Sequence, residues 1–364
     1  MSEVTVKEVV PHLDGRILQK SLRTLYVISG VWKAVFYGLS VLLAFSLKHH
    51  FSEESNPDEA VSTATFLCFE ASSFLLCIVG GAAISRFNYS RVSVVATAAT
   101  LVGCSWLAIQ GAQASLFALV PLCLGFAFFK PMISGLLLEQ GKIDDETAGR
   151  IGLVKTVTEN FGGLIGIVAV ALIVAFSGVS DKDLPQSYQK MIYWTASTAV
   201  LCSALVLYVG RANSSIRFPN RKPSSKSTHP GWHAMRQLVI ATLFSSAFWF
   251  CYALSASDIL HDVRQLSGST VLGYGFRALN PVFIFLTPFL LGVLAKQFPN
   301  RPIFDVFSEA KGSRELVLSR ISLSLWMAGA AALVGLLLRI LFADSFSTEN
   351  PESIGFRYLW AVHI

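Results

Sequence analysis

Two lysines stand where a lysine is expensive. Lys130 lies inside the apolar stretch LGFAFFKPMISGLLLEQ, residues 124–140, and Lys33 inside VWKAVFYGLS, residues 31–40. An ammonium near the centre of a membrane span costs about 2.5–3.5 kcal/mol on insertion scales. A span that keeps one faces it towards a wet cavity or a partner helix, not towards lipid. Pro131 follows Lys130 directly; it removes a helical donor and kinks the span. The chemistry such cations offer is electrostatic: they hold a carboxylate or another anion. Two glutamates share the setting. Glu70 has apolar residues for at least a turn on either side, and Glu159 stands four residues after Lys155 in RIGLVKTVTENFGGLIGIV, residues 150–168. An acid at that depth is costly to keep ionised unless a cation compensates, which suits a proton carrier. Plainer readings stand beside these. Lys33 can snorkel to the interface, Lys130 can be locked to a carboxylate for packing, and Glu70 can be a neutral, hydrogen-bonded structural group. Lys155 and Glu159 are spaced to pair along one helix.

The elements that must carry these residues are membrane helices. Hydrophobic residues make up 53% of the 364 and charged residues 14%, which excludes an ordinary soluble domain. About 20 apolar residues cross a bilayer as a helix. On that measure spans are predicted near 25–47, 61–84, 92–110, 114–138, 151–176, 191–209, 237–257, 274–296 and 321–343, with an apolar stretch beginning again at Phe356. The fold class is therefore an all-α membrane protein of about nine spans. Residues 212–232, ANSSIRFPNRKPSSKSTHPGW, are polar, basic and rich in Ser and Pro, and read as a linker. The chain divides accordingly into an N-terminal six-helix bundle (1–210), a cytoplasmic basic linker (211–236) and an incomplete C-terminal bundle (237–364). A second bundle matching the first would need three more spans.

Charge sets the orientation. With the N-terminus in the cytoplasm, nineteen of the 29 Lys and Arg fall in inner segments and seven in outer ones, as the positive-inside rule asks. The basic balance thus reports topology and carries no nucleic-acid signal. Residues 1–24 are charged and lack an apolar signal core, so no cleavable signal peptide is expected. The six cysteines fall inside spans and read as small apolar fillers, not disulfides or metal ligands. The acidic run Asp144-Asp145-Glu146 reads as a solvated loop. Gly162, Gly163 and Gly166 form a small-xxx-small face for close helix approach. Tyr37 sits towards mid-span, and Pro281 and Pro288 break the eighth span, which can leave carbonyls to line a cavity. No HExxH, GxSxG, CxxC or P-loop pattern is present, which leaves no enzyme reading, no cofactor and no metal site.

Taken together these residues resemble the proton-dependent oligopeptide transporter family of the major facilitator superfamily. Gly80-Gly81, Arg86-Phe87 and Arg91 are similar to its GGxxADRFxGxR loop after the second span. Gly125, Lys130-Pro131, Ser134 and Glu139-Gln140 are similar to its fourth-span GxGxxKPxxSxxxxDQ. Asn160-Phe161-Gly162 resembles the fifth-span NIG, and Gly210-Arg211 the end of the sixth. Phe248-Trp249 resembles the start of the seventh-span FWxxxEQ, and Leu279-Asn280-Pro281 the eighth-span LNP. The resemblance implies that Lys33 and Lys130 offer positive charge to a substrate carboxylate. It implies that Tyr37, Asn160, Trp249 and Asn280 line a central cavity. Substrate would bind near mid-membrane, and rocking of two halves would expose it to each side in turn.

The chain departs from that pattern at informative places. The first-span ExxERFxYYG reads here as Ser29, Trp32-Lys33 and Tyr37-Gly38, so both glutamates are absent and lysine replaces arginine. The seventh-span glutamate, which would clamp a peptide's amino end, falls at Ala253, and the glutamine at Leu254. The loop aspartate is Ser85. Glu70 and Glu159 are acids where the pattern has none, and one of them is expected to partner Lys130 and carry the proton. The expected function is secondary transport of a small carboxylate-bearing solute, a di- or tripeptide first, with protons and the bilayer as the other partners. Uptake of a smaller anion is the alternative, favoured by the missing amine clamp. A non-transporting relative or sensor on the same scaffold is the third reading, favoured by the short second bundle.

Overall fold

The computed structural model describes residues 15–52, 68–110, 115–140, 145–177 and 186–213, with Ile216, Phe218 and Val282 beside them. Six helices account for these segments: α1 (Gly15–Ser52), α2 (Cys68–Phe87), α3 (Tyr89–Gln110), α4 (Ser115–Glu139), α5 (Asp145–Phe176) and α6 (Gln186–Ala212). Each is long and apolar enough to cross a membrane. They match the first six predicted spans in order. The later predicted spans, and the linker beyond Phe218, lie outside the described residues apart from Val282.

The helix limits differ from the hydropathy reading by a few residues at several ends, and two differences have a local cause. α1 starts at Gly15, ten residues before the predicted span. Its first turns are amphipathic, with Ser21 and Leu25 buried and Lys20 and Arg23 exposed, so the helix continues past the apolar window. Between α2 and α3 a single residue, Asn88, makes the turn with φ 76° and ψ 158°, outside the left-handed helical region and in one where non-glycine residues are rare. Its Oδ1 accepts from Arg91 N at 3.0 Å and so caps α3.

α1 is the central helix: 72% of its apolar window is buried, against 22% in α2. It packs on α5, α6 and α4, while α4 packs on α3 and α2, and α3 on α6. Exchanging the first three helices for the last three maps α1–α5 onto α4–α2 and α1–α6 onto α4–α3. α1 and α4 thus hold equivalent places in the contact pattern, as the bundle's two axial helices. The outward faces are apolar: Val94, Val102, Trp106 and Ile109 form such a face on α3, and Phe117 on α4 is 76% exposed.

Lipid tails are as apolar as leucine, so helix association in a membrane rests on close packing more than on burial. The α1–α5 contact shows how. Gly30, Ala34 and Gly38 on α1 meet Thr158, Gly162 and Gly166 on α5. A Cβ on Gly162 would strike the Gly30 backbone, and one on Gly166 would strike Ala34. The glycine face read from the sequence is therefore a packing face. α2 and α4 meet in the same way at Gly80, where an added Cβ would fall against Ala127 O, Phe128 Cα and Pro131 Cγ. Pro131 cannot donate to Ala127 O, and the glycine lets α2 approach that orphaned carbonyl.

Candidate functional site

One face of α1 carries Ser29, Trp32, Lys33 and Phe36, at i, i+3, i+4 and i+7. Phe126, Phe129 and Lys130 repeat part of that spacing on α4. With Ser73 and Phe74 of α2 and Glu159 of α5, they line a half-open cavity of about 50 Å³. That is room for a few waters or a small polar group.

The walls are aromatic. Trp32 and Phe129 stack face to face, ring centroids 3.7 Å apart at 3°. Phe126 presents an edge to Trp32 at 6.1 Å and to Phe36 at 4.8 Å. The cations rest on rings: Lys130 Nζ lies 4.1 Å and Lys33 Nζ 5.8 Å from the centroid of Phe74. Lys33 Nζ also lies 4.6 Å from the Tyr37 ring and 5.2 Å from Phe36. Each such contact stabilises a desolvated ammonium by about 0.5–2 kcal/mol while leaving its charge in place.

The acids are arranged differently. Glu159 Oε1 accepts from Ser29 Oγ at 2.6 Å and pairs with Lys155 Nζ at 2.7 Å. The intrahelical Lys155–Glu159 pair expected from the spacing is thus present. Glu70 is 5% exposed and sits one turn before Phe74 on α2. The charges of Glu159 and Glu70 both act on Lys33, and those of Lys33 and Glu159 act on Lys130. Lys33, Lys130, Lys155, Glu70 and Glu159 thus share one electrostatic neighbourhood, with three cations to two acids among the described residues.

Of the residues singled out in the sequence, Lys33, Lys130 and Glu159 come together at this cavity. Tyr37 is buried behind Lys33, its ring against Gly163. Asn160 turns back on its own helix, Nδ2 donating to Thr156 O at 2.8 Å, and is not part of the cavity wall. Trp249 and Asn280 lie outside the described residues. Sequence reasoning passed over Ser29, Phe74, Phe126, Phe129 and the indole of Trp32. A signal for two of them was present: an aromatic residue directly precedes lysine on each of the two axial helices, as Trp32-Lys33 and Phe129-Lys130. Among the described residues no group of His, Cys, Asp or Glu is placed to hold a metal.

No family model matches the sequence, and no curated protein matches it. Solved structures do match its shape. A POT family transporter in complex with 5-aminolevulinic acid superposes with a TM-score of 0.62 at 13% identity, covering 94% of this chain and 80% of that one. A POT family transporter with a thioalcohol-conjugated peptide gives 0.63 at 11%, with 94% and 80% covered. The fold is that of the POT transporters. A third structure, the peptide transporter POT in complex with sulfate, gives 0.60 at 17% over 96% of this chain and 83% of that one. The described helices thus form a six-helix bundle of an integral, multi-pass membrane protein with that fold.

Proposed function

We propose that this protein is a secondary active transporter that moves small carboxylate-bearing solutes, di- or tripeptides first, by alternating access. The observation that carries the reading is the placing of two ammonium groups, from the two axial helices, beside one half-open cavity in a transporter fold. Lys130 and Lys33 would attract the solute's carboxylate, and the aromatic wall would shield the pair from lipid and bulk water. The N-terminus is assigned to the cytoplasm from the distribution of Lys and Arg. Protons are the proposed coupling ion, with Glu159 or Glu70 as the carrier. Tyr37, Asn160, Trp249 and Asn280 are proposed to meet solute when the two halves close around it. Residues 1–210, 211–236 and 237–364 are proposed as bundle, linker and second bundle.

Uptake of a smaller anion is the second reading. The surplus of cations, the small cavity and Ala253 in the amine-clamp position support it. Proteoliposomes containing the full chain, given an inward proton gradient and labelled alanylalanine, test the proposal. Concentrative uptake is expected, and its loss on N-acetylation of the probe supports the peptide reading. Equal uptake of the acetylated probe supports the anion reading. Absence of uptake for both probes overturns transport.

A further inference from the structure

The indole of Trp32 is almost wholly buried, at 2% exposure, yet its Nε1–H has no acceptor among the described residues. Buried donors of this kind are rare, because leaving one unmade forfeits its desolvation cost. The surroundings explain why no protein group answers it. One face of the ring is covered by Phe129 and Phe126 stands perpendicular to it, and neither phenyl carries a lone-pair acceptor. An N–H bond lies in the ring plane, so a partner must enter beside the ring. Of the oxygen-bearing groups on the cavity wall, Ser29 Oγ donates to Glu159, Ser73 Oγ donates to Phe69 O, and the Glu159 carboxylate is engaged by Ser29 and Lys155; none is hydrogen-bonded to the indole.

We infer that Trp32 is a ligand-binding residue of this cavity: its Nε1–H donates to an oxygen of the bound oxyanion, between the ammonium groups of Lys33 and Lys130. This rests on the transport reading for its cargo, but not for its geometry. Trp32 and Lys33 are adjacent on α1, and Trp32 is held flat against Phe129, the neighbour of Lys130. The three donors therefore stand on facing stretches of the two axial helices. A carboxylate has enough lone pairs for all three. The indole then does in neutral form what a third cation would do, and it favours an oxygen acceptor over an apolar or purely cationic cargo. In the oligopeptide-transporter pattern this position belongs to a glutamate, whose charge would oppose such a ligand. The exchange of acid for indole turns the position from acceptor to donor.

Thermal unfolding of the purified full chain, titrated with sodium acetate against sodium chloride at equal ionic strength, tests the assignment. Wild type should be stabilised by acetate. Trp32→Phe keeps a stacking ring and deletes the donor, so its affinity for acetate should fall about ten- to hundredfold. Its melting temperature without acetate should stay level or rise, since an unmade hydrogen bond has been removed. A merely structural tryptophan would give the opposite pair: a lower melting temperature and unchanged acetate affinity. That result overturns the proposal, as does a wild type indifferent to acetate. Proteoliposome uptake of alanylalanine separates the two readings. Uptake with an unaltered KM in Trp32→Phe sinks the indole's role alone, whereas acetate binding that depends on Trp32 without any uptake sinks transport alone.

Discussion

Ser29 Oγ and Lys155 Nζ converge on the same oxygen of Glu159, at 2.6 and 2.7 Å. The serine comes from α1 and the lysine from α5, so one carboxylate joins the two helices on the cavity side of their glycine contact. The arrangement keeps Glu159 at the cavity wall and engages it with its own helix, while Lys130 rests on Phe74.

The first expectation concerns protons. If Glu159 or Glu70 carries the coupling proton, one of the single variants Glu159→Gln and Glu70→Gln should lose uptake driven by an imposed proton gradient. Counterflow, which needs no gradient, should survive in that variant. Gradient-driven uptake unchanged in both variants removes these acids from the mechanism. Ser29→Ala should retain coupling and lose about 1–3 kcal/mol of stability, the usual worth of a hydrogen bond to a charged group.

Lys130 allows function and stability to be told apart. It is half-buried beside another cation, Lys33, so removing it relieves repulsion as well as desolvation. Lys130→Met should therefore melt at the same temperature as wild type or higher, while alanylalanine uptake falls at least about tenfold. A fall in both would mark a lysine kept for packing.

Neighbouring glycines on α2 should respond with opposite sign. A Cβ on Gly80 meets α4 backbone, whereas one on Gly81 meets nothing within 4 Å. Gly80→Ala should destabilise by about 1–3 kcal/mol through overpacking. Gly81→Ala should be neutral or add up to about 1 kcal/mol from helix propensity. Melting temperatures in one detergent decide it.

Phe74 is the ring both cations approach. Phe74→Leu keeps the apolar bulk and deletes the π face, and should cost about 1–2 kcal/mol of stability. Phe74→Tyr should keep most of it. Equal stability of all three would show that the rings merely fill space around the lysines.

The order and type of the six helices were legible in the sequence because a bilayer demands about 20 apolar residues per crossing. Lys33 and Lys130 stood out for a related reason: each is an exception whose cost is known. Lys155–Glu159 and the glycine face were also readable, since both follow from helical spacing alone. What stayed hidden depends on contacts between helices. In a lipid setting the buried and exposed faces are equally apolar, so nothing in the pattern told that Phe126 and Phe129 face inward while Phe117 faces out. The Ser29–Glu159 bond joins residues 130 apart in the chain, and no local rule finds it. The helical start at Gly15 was missed because hydropathy sees the membrane's edge, not the helix's.

The two kinds of helix contact in this bundle leave unequal room for motion. α1 and α5 touch backbone to backbone at successive glycines, so they can neither slide nor twist past one another without first parting. α4 is the reverse case, carrying Pro121 and Pro131 within its length, each a rung missing from the ladder. Phe126, Phe129 and Lys130 all lie between those two gaps. The side of the cavity built by α1 and α5 is thus a fixed anvil, and the side that holds Lys130 is the compliant one.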